Sequence, residues 1–128
     1  MKLASHLAAA LLGLVFLIFS VNFFFHFFEL PVPPAGSPPA LFLGAVIPTG
    51  YFTFVKMLEL AGGVLVVVPR TRALGLLILG PIVVNILCFD AFLTHGAGMS
   101  LGLLVGLLSL FLLWVNRAAF APILRGAK

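Results

Sequence analysis

The chain has 128 residues, of which 63% are hydrophobic and only 8% are charged, and its mean hydropathy is +1.33. Roughly a quarter of the residues of a soluble domain are charged, so this composition excludes a soluble globular protein and indicates a one-domain polytopic membrane protein, residues 1–128. The net charge of +4 does not indicate a nucleic-acid partner, because the basic residues are scattered at the ends of apolar runs rather than gathered in one patch.

The first apolar run, residues 7–28, is long enough to cross a bilayer core of about 30 Å and predicts the first spanning helix. Asn22, His26 and Glu29 follow the i, i+4, i+7 spacing of one helical face. The spacing suits a local pair between His26 and Glu29. The alternative is that His26 exchanges protons between the outside and deeper groups.

The stretch that follows is rich in proline, with the sequence PVPPAGSPP over residues 31–39. Such proline density favours extended chain over helix. Residues 41–47 are apolar again and predict a short interfacial or re-entrant piece, which Pro48 and Gly50 end.

The second spanning run, residues 51–68, contains the only charged residues deep inside an apolar segment, Lys56 and Glu59. Residues three apart on a helix share a face and lie close enough to touch. Burying both is expensive, and apolar replacements of such pairs are often no worse for stability. We therefore favour a binding or proton-transfer site over the competing interpretation, a purely structural pair. Gly62 and Gly63, one turn further on, would let a neighbouring helix approach closely.

The third run, residues 73–93, adds Asn85 and Asp90. Asp90 points about 140° away from Asn85 on a helical wheel, so we expect Asn85 to face the bundle and Asp90 to lie at its rim. Asparagines in such positions are otherwise hydrogen-bonding groups between helices. Counting about 1.5 Å per residue puts four polar residues of three helices at one depth: Asn22, Lys56, Glu59 and Asn85.

The fourth run, residues 99–115, has no ionisable residue and looks structural. Gly98, Gly102 and Gly106 recur every four residues, a pattern that permits tight helix contact. We expect this glycine stripe to pack either within the bundle or against another subunit.

Basic residues mark one side of these runs: Lys2, Arg70, Arg72, Arg117, Arg125 and Lys128. The connections over residues 29–50 and 94–98 contain no lysine or arginine. By the positive-inside rule both termini face the cytoplasm. Short links between consecutive spans then predict an all-α membrane protein, an antiparallel bundle of four transmembrane helices.

Several chemistries are absent from the sequence. It contains no phosphate-binding glycine loop, no CxxC, no HExxH and no legible nucleophile triad. His26 and His95 lack the spacing of a metal or haem site, so no metal is expected. Any reaction would therefore take place in or at the bilayer.

Two segments resemble the DoxX and DoxX-like membrane proteins. The segment TGYFTFVKMLELAGGVLVVVPR, Thr49–Arg70, is similar to the family's second helix, where a lysine and a glutamate precede a glycine pair, aliphatic residues and an arginine turn. GPIVVNILCF, Gly80–Phe89, resembles its third helix, and Asn22 and His26 before a proline-rich loop resemble its first. Asp90 departs from the pattern, because many DoxX-like sequences have histidine there.

The resemblance implies a four-helix protein of the bacterial inner membrane. It also implies redox physiology, because the family takes its name from a subunit of a thiosulfate:quinone oxidoreductase and other members associate with oxidative-stress enzymes. Whether this chain is itself catalytic is left open by the resemblance.

The sequence therefore predicts a polar pocket, open to the outer leaflet, that binds a quinone or another lipophilic molecule. Lys56 would hold the polar head, while Glu59 and His26 would handle protons. The remaining ligand contacts are assigned to Asn22, Asn85 and Tyr51. The alternative is a non-catalytic accessory subunit that packs, through the glycine stripe, against other membrane subunits or a second copy.

Overall fold

The computed structural model describes residues 2–96 and 99–126, and within these ranges all regular structure is helical. Helices make up 82% of the chain, which confirms the all-α prediction. The elements in chain order are α1 (Lys2–Phe25), α2 (Pro38–Val46), α3 (Tyr51–Val67), a 3₁₀ turn (Pro69–Thr71), α4 (Arg72–Cys88) with a π-helical extension (Phe89–Leu93), α5 (Met99–Val115) and α6 (Arg117–Arg125).

Four of these helices form a bundle around one apolar core. α1 packs against α3 and α5, and α4 packs against the same two helices on the other side. α1 and α3 run antiparallel, since Gly13 in the middle of α1 meets Gly63 near the end of α3, and Phe23 near the end of α1 meets Phe52 at the start of α3. The buried centre is built from residues of all four helices, including Leu12, Phe16, Val66, Leu79, Val105 and Leu112.

Two helical segments are long and apolar enough to cross a membrane, α1 and the continuous stretch Pro69–Leu93. The count rises to four if two bent pairs are each taken as one span: α2 with α3, bent by 85°, and α5 with α6, bent by 76°. α3 and α5 have 17 residues each, or about 25 Å of helix, slightly less than a bilayer core. These helices indicate a membrane protein.

α1 ends earlier than the apolar run predicts. The helix stops at Phe25, because His26 adopts a left-handed conformation with φ of 55° that a right-handed helix cannot continue. The short piece expected over residues 41–47 is α2, which Pro48 and the turn at Gly50 separate from α3. α6 was not predicted, because nine residues that follow a long apolar run carry no spanning signal of their own.

The two ends of the bundle differ in charge. One end of the bundle holds the start of α1, the α3–α4 junction and α6, which carry Lys2, Arg70, Arg72, Arg117 and Arg125. We call this the basic end. The opposite end holds the proline-rich connection and Glu29.

Candidate functional site

The i, i+3 spacing of Lys56 and Glu59 brings their side chains into contact on α3. Lys56 Nζ lies 3.2 Å from Glu59 Oε1, and the two side chains are only 13% and 6% exposed. Lys56 Nζ also lies 5.1 Å from the centroid of the Phe52 ring, a favourable cation–π distance. Within residues 2–96 and 99–126 this is the one ion pair, and it is desolvated by the bundle around it.

Glycines hold α3 close to both of its neighbours, immediately below this pair. A Cβ atom on Gly63 would lie 3.2 Å from the Gly13 carbonyl oxygen of α1, and one on Gly62 would lie 2.7 Å from the Leu79 side chain of α4. In a membrane the hydrophobic effect does not drive helices together, so close packing at small residues is a main source of helix–helix attraction. Glu59, one turn above, is therefore enclosed between α1 and α4.

Ser20 of α1 lies level with Lys56. The antiparallel register follows from two contacts, Gly13 on Gly63 and the edge-to-face rings of Phe23 and Phe52 at 5.4 Å. Seven residues separate Gly13 from Ser20, so the two share the face of α1 that meets α3. Ser20 is fully buried, and its Oγ has no hydrogen-bond partner among the described residues.

Ser109 of α5 belongs to the same layer. Gly106 packs on Leu87 of α4, so one turn further along α5 Ser109 is level with Val83. Gly62 of α3 contacts Leu79 of α4, and the two helices are antiparallel. Val83, one turn after Leu79, is therefore level with the turn of α3 that holds Glu59. Ser109 is buried, and its Oγ is the second side-chain atom of the described chain that is buried without a partner.

Three helices thus contribute polar groups to one buried layer, which we call the polar layer: Ser20, Lys56, Glu59 and Ser109. Buried hydroxyls nearly always have a partner, and two that do not need an explanation such as a water molecule or a ligand. The layer could therefore bind the polar group of a ligand through two hydroxyls, an ammonium and a carboxylate. Sequence reasoning missed both serines, although each continues a glycine-marked stripe of its helix.

Asn22 is buried, but its side chain hydrogen-bonds to the backbone just after the end of α1 and does not face the polar layer. Its Oδ1 accepts a hydrogen bond of 2.8 Å from the Phe28 backbone N–H, and its carbonyl oxygen accepts one of 2.7 Å from the N–H of His26. The carboxamide thereby fixes the fold-back of the chain after Phe25. The predicted stripe of Asn22, His26 and Glu29 does not form, because the helix ends before its last two members.

His26 and Glu29 are exposed at the opposite end. By the α1–α3 register His26 lies roughly 14 Å from Glu59 along the bundle axis, so direct proton exchange between them is excluded. The local pair expected between His26 and Glu29 is also absent from the described residues. Tyr51 opens α3 at the same end and is likewise exposed.

Asn85 and Asp90 have exchanged the positions predicted for them. Asn85 is exposed on the outer face of α4, whereas Asp90 is 8% exposed and faces α5. A Cβ atom on Gly102 would lie 2.5 Å from Asp90 Oδ2. The assignment of Asn85 to the cluster was therefore wrong, because the inward face of α4 is the one that carries Leu79 and Val83.

The glycine stripe of α5 packs within the bundle. Gly102 faces Asp90 and Leu87, and Gly106 faces Leu87. Gly98 lies outside the described residues. Of the two expectations for this stripe, the structure supports internal packing, and the two described glycines are not free to meet another subunit.

An apolar groove of about 320 Å³ runs along α1 at the depth of the polar layer. It is lined by Leu17, Ile18, Val21, Phe27 and Phe28. The segment after α1 closes it, since the Phe28 ring packs edge-on against Phe19 at 5.9 Å. A second apolar groove lies between α4 and α5, with Ser109 among its lining residues.

Arg72 caps α3 from the basic end. Its Nε and Nη2 donate hydrogen bonds of 2.8 and 3.0 Å to the carbonyl oxygens of Val66 and Val67, and its guanidinium lies 3.4 Å from His6 Nδ1. The last carbonyls of a helix carry partial negative charge, which a cation stabilises. Arg72 is buried, so its role is to join α1, α3 and α4 rather than to meet solvent.

Comparison with known proteins finds a match over part of the chain. Over 75 residues the chain is 37% identical to the uncharacterized protein YwoB of Bacillus subtilis (strain 168), a stretch that is 59% of this chain and 48% of YwoB. The chain thus spans about half the length of this relative. No protein-family model matches the chain, and no solved structure matches it.

Proposed function

We propose that this chain is a DoxX-like protein of the bacterial inner membrane whose polar layer binds the head of a quinone or a similar lipophilic molecule. In this proposal α1, α3, α4 and α5 cross the bilayer, with both termini in the cytoplasm. The segregation of basic residues at one end supports that orientation. The resemblance of residues 49–70 to the DoxX family supports the redox context.

The observation that carries the proposal is the pair of unpartnered hydroxyls, Ser20 and Ser109, level with a buried ion pair. The Lys56 ammonium would donate a hydrogen bond to a carbonyl of the head group, and the Glu59 carboxyl would give or take a proton. The hydroxyls would complete the hydrogen bonds. A bound quinone would supply reversible two-electron chemistry, with electrons delivered by an oxidoreductase subunit.

The apolar groove along α1 supports the same proposal. It lies at the depth of the polar layer, and Leu17, one of its lining residues, also contacts Gly63 at the α1–α3 interface. A lipophilic tail would find an apolar surface there while its head reached the layer. Ligand sites usually combine such an apolar wall with a few placed polar groups.

We expect a short-chain benzoquinone to raise the thermal stability of the purified protein in lipid nanodiscs. A ligand at a hundred times its Kd stabilises the folded state by about 2.7 kcal/mol. This ligand-induced shift should be lost in Lys56→Met and strongly reduced in Ser20→Ala and Ser109→Ala. The two serine variants are informative because removal of an unpartnered hydroxyl should leave the ligand-free protein as stable as the parent or more so.

The matched control is Asn85→Leu, which alters a polar residue on the exposed face of α4, outside the polar layer. It should retain the full ligand-induced shift. If Lys56→Met and both serine variants keep the parent's shift as well, the polar layer does not bind the quinone and the proposal is wrong.

A second candidate function, structural assembly with other membrane chains, is favoured by the position of Asn85. This amide lies near the middle of the candidate span Pro69–Leu93 and is exposed. A lipid-facing polar group is costly, and amides on spanning helices commonly hydrogen-bond to another helix. Asparagine has both a donor and an acceptor, so a second copy of the chain could satisfy it.

Cys88 provides a direct measure of that assembly. It is exposed, is the chain's single cysteine, and lies three residues after Asn85 on the same side of α4. Copper–phenanthroline oxidation of membranes should therefore yield a disulfide-linked dimer. Asn85→Leu should reduce its yield, because an interhelical hydrogen bond contributes about 1–2 kcal/mol. Val84→Leu, an apolar change on the same face, should not reduce the yield, and equal cross-linking of Asn85→Leu and the parent would count against this surface.

A further inference from the structure

We propose that α6, together with the α5–α6 elbow, is a binding surface for the headgroups of anionic phospholipids. The inference depends only on membrane insertion and not on the quinone proposal. The proposal starts from α6, which has nine residues and is too short to cross a bilayer. α6 follows α5 after a bend of 76°, so it lies across the end of the bundle rather than along it.

The residues of α6 divide into two faces. Arg117 and Arg125 are eight residues apart, about 80° on the helical wheel, and both are exposed. Phe120 and Ile123 lie on the other side, about 100° and 160° from the midpoint of the two arginines, and Leu124 lies between the two faces, about 20° from Arg117. Phe120 is half-buried against the core, whereas Ile123 is 62% exposed with no protein to cover it. A helix with this division lies in a membrane interface, with its apolar face in the acyl region and its cations at the headgroups.

Charge complementarity identifies the headgroup. The basic end carries four exposed cations in the described chain: Lys2, Arg70, Arg117 and Arg125. All three acidic residues of the sequence lie elsewhere, with Glu59 in the polar layer and Glu29 and Asp90 toward the opposite end. A cationic surface without internal counter-ions attracts anionic lipids at about 1 kcal/mol, or roughly fivefold in affinity, for each basic side chain.

The elbow between α5 and α6 adds an interfacial anchor. The Arg117 guanidinium stacks over the Trp114 ring at 4.4 Å from its centroid and donates a hydrogen bond of 2.7 Å to the Trp114 carbonyl oxygen. Trp114 is 57% exposed, and tryptophan is enriched where spanning helices meet the headgroups. Trp114 is also the chain's single tryptophan, so intrinsic fluorescence reports on this elbow.

The test is quenching of Trp114 by brominated lipids in vesicles that contain the full chain. At the same low mole fraction, brominated phosphatidylglycerol should quench more strongly than brominated phosphatidylcholine, and high salt should reduce the difference. The double variant Arg117→Gln/Arg125→Gln should lower the preference for the anionic lipid by about 25-fold, given about fivefold for each arginine.

Two controls separate charge from helix stability. Arg117→Lys/Arg125→Lys keeps both charges and should retain most of the preference, while Lys2→Gln removes one charge outside α6 and should lower the preference reported by Trp114 far less than the double glutamine variant does. Because each preference is a ratio measured within one variant, changes in Trp114 brightness cancel. Equal quenching by the two brominated lipids in the parent would overturn the proposal, as would a full preference in the double glutamine variant.

Discussion

Lys56→Met is expected to lower the free energy of unfolding by about 3–5 kcal/mol, because removal of one partner of a buried ion pair leaves an unpaired charge in the core. The Lys56 and Glu59 side chains are 13% and 6% exposed, so water offers the remaining carboxylate little compensation. The change is measured by unfolding in mixed micelles at neutral pH.

The double variant Lys56→Met/Glu59→Leu gives the contrasting result. Replacing a buried pair by apolar residues of similar size is often neutral or stabilising, so the double variant should unfold close to the parent. Lys2→Met, which removes an exposed charge, should change stability by no more than about 0.5 kcal/mol. A Lys56→Met protein as stable as the parent would mean that the pair is accessible to water.

The single and double variants at Lys56 and Glu59 also test whether the pair binds the quinone. A double variant that is stable but gains no protection from quinone would show that stability does not require the pair and that binding does. A double variant as unstable as Lys56→Met would instead identify the pair as a structural element of the bundle. The same two variants therefore separate the two interpretations that the sequence left open.

The four helices of the bundle and the ion pair could be predicted from the sequence because they depend on local signals. Apolar length defines α1, α3 and α4, and Gly50 and Pro48 end the stretch before α3. The contact between Lys56 and Glu59 follows from their spacing on one helix. Each of these features needs only a few neighbouring residues.

The inward faces could not be predicted in the same way. In a membrane bundle both the core and the lipid-facing surface are apolar, so hydrophobic periodicity does not distinguish them. On α4, Leu79 is buried and Leu77 is exposed, although the two are chemically identical. Asn85 was therefore assigned to the core and Asp90 to the rim, the reverse of what the structure has.

Glycines mark the inward faces better than apolar residues do. Gly75 of α4 and Gly13 of α1 lie at the tightest contacts with α3, and neither was singled out from the sequence. Both can be recognised only once the register between helices is known. Ser20 was missed for a related reason, since it lies seven residues after Gly13 on the face that meets α3.

Gly75→Ala is accordingly expected to destabilise the bundle by about 1–3 kcal/mol, the usual cost of overpacking. A Cβ atom there would lie 2.6 Å from the Val66 backbone nitrogen, 2.9 Å from its Cα and 3.0 Å from the Gly62 carbonyl oxygen. Backbone atoms cannot rotate away as a side chain can, so α4 would have to separate from α3. Thermal unfolding in bicelles measures the loss.

Gly80→Ala is the matched control on the same helix. A Cβ atom at Gly80 would meet nothing within 4 Å, so alanine there should be neutral or raise stability by up to about 1 kcal/mol through its higher helix propensity. Because both variants add one methyl group to α4, their difference isolates the contact with α3. If the two unfold at the same temperature, α4 does not approach α3 as closely as described, and the enclosure of Glu59 between α1 and α4 would have to be abandoned with it.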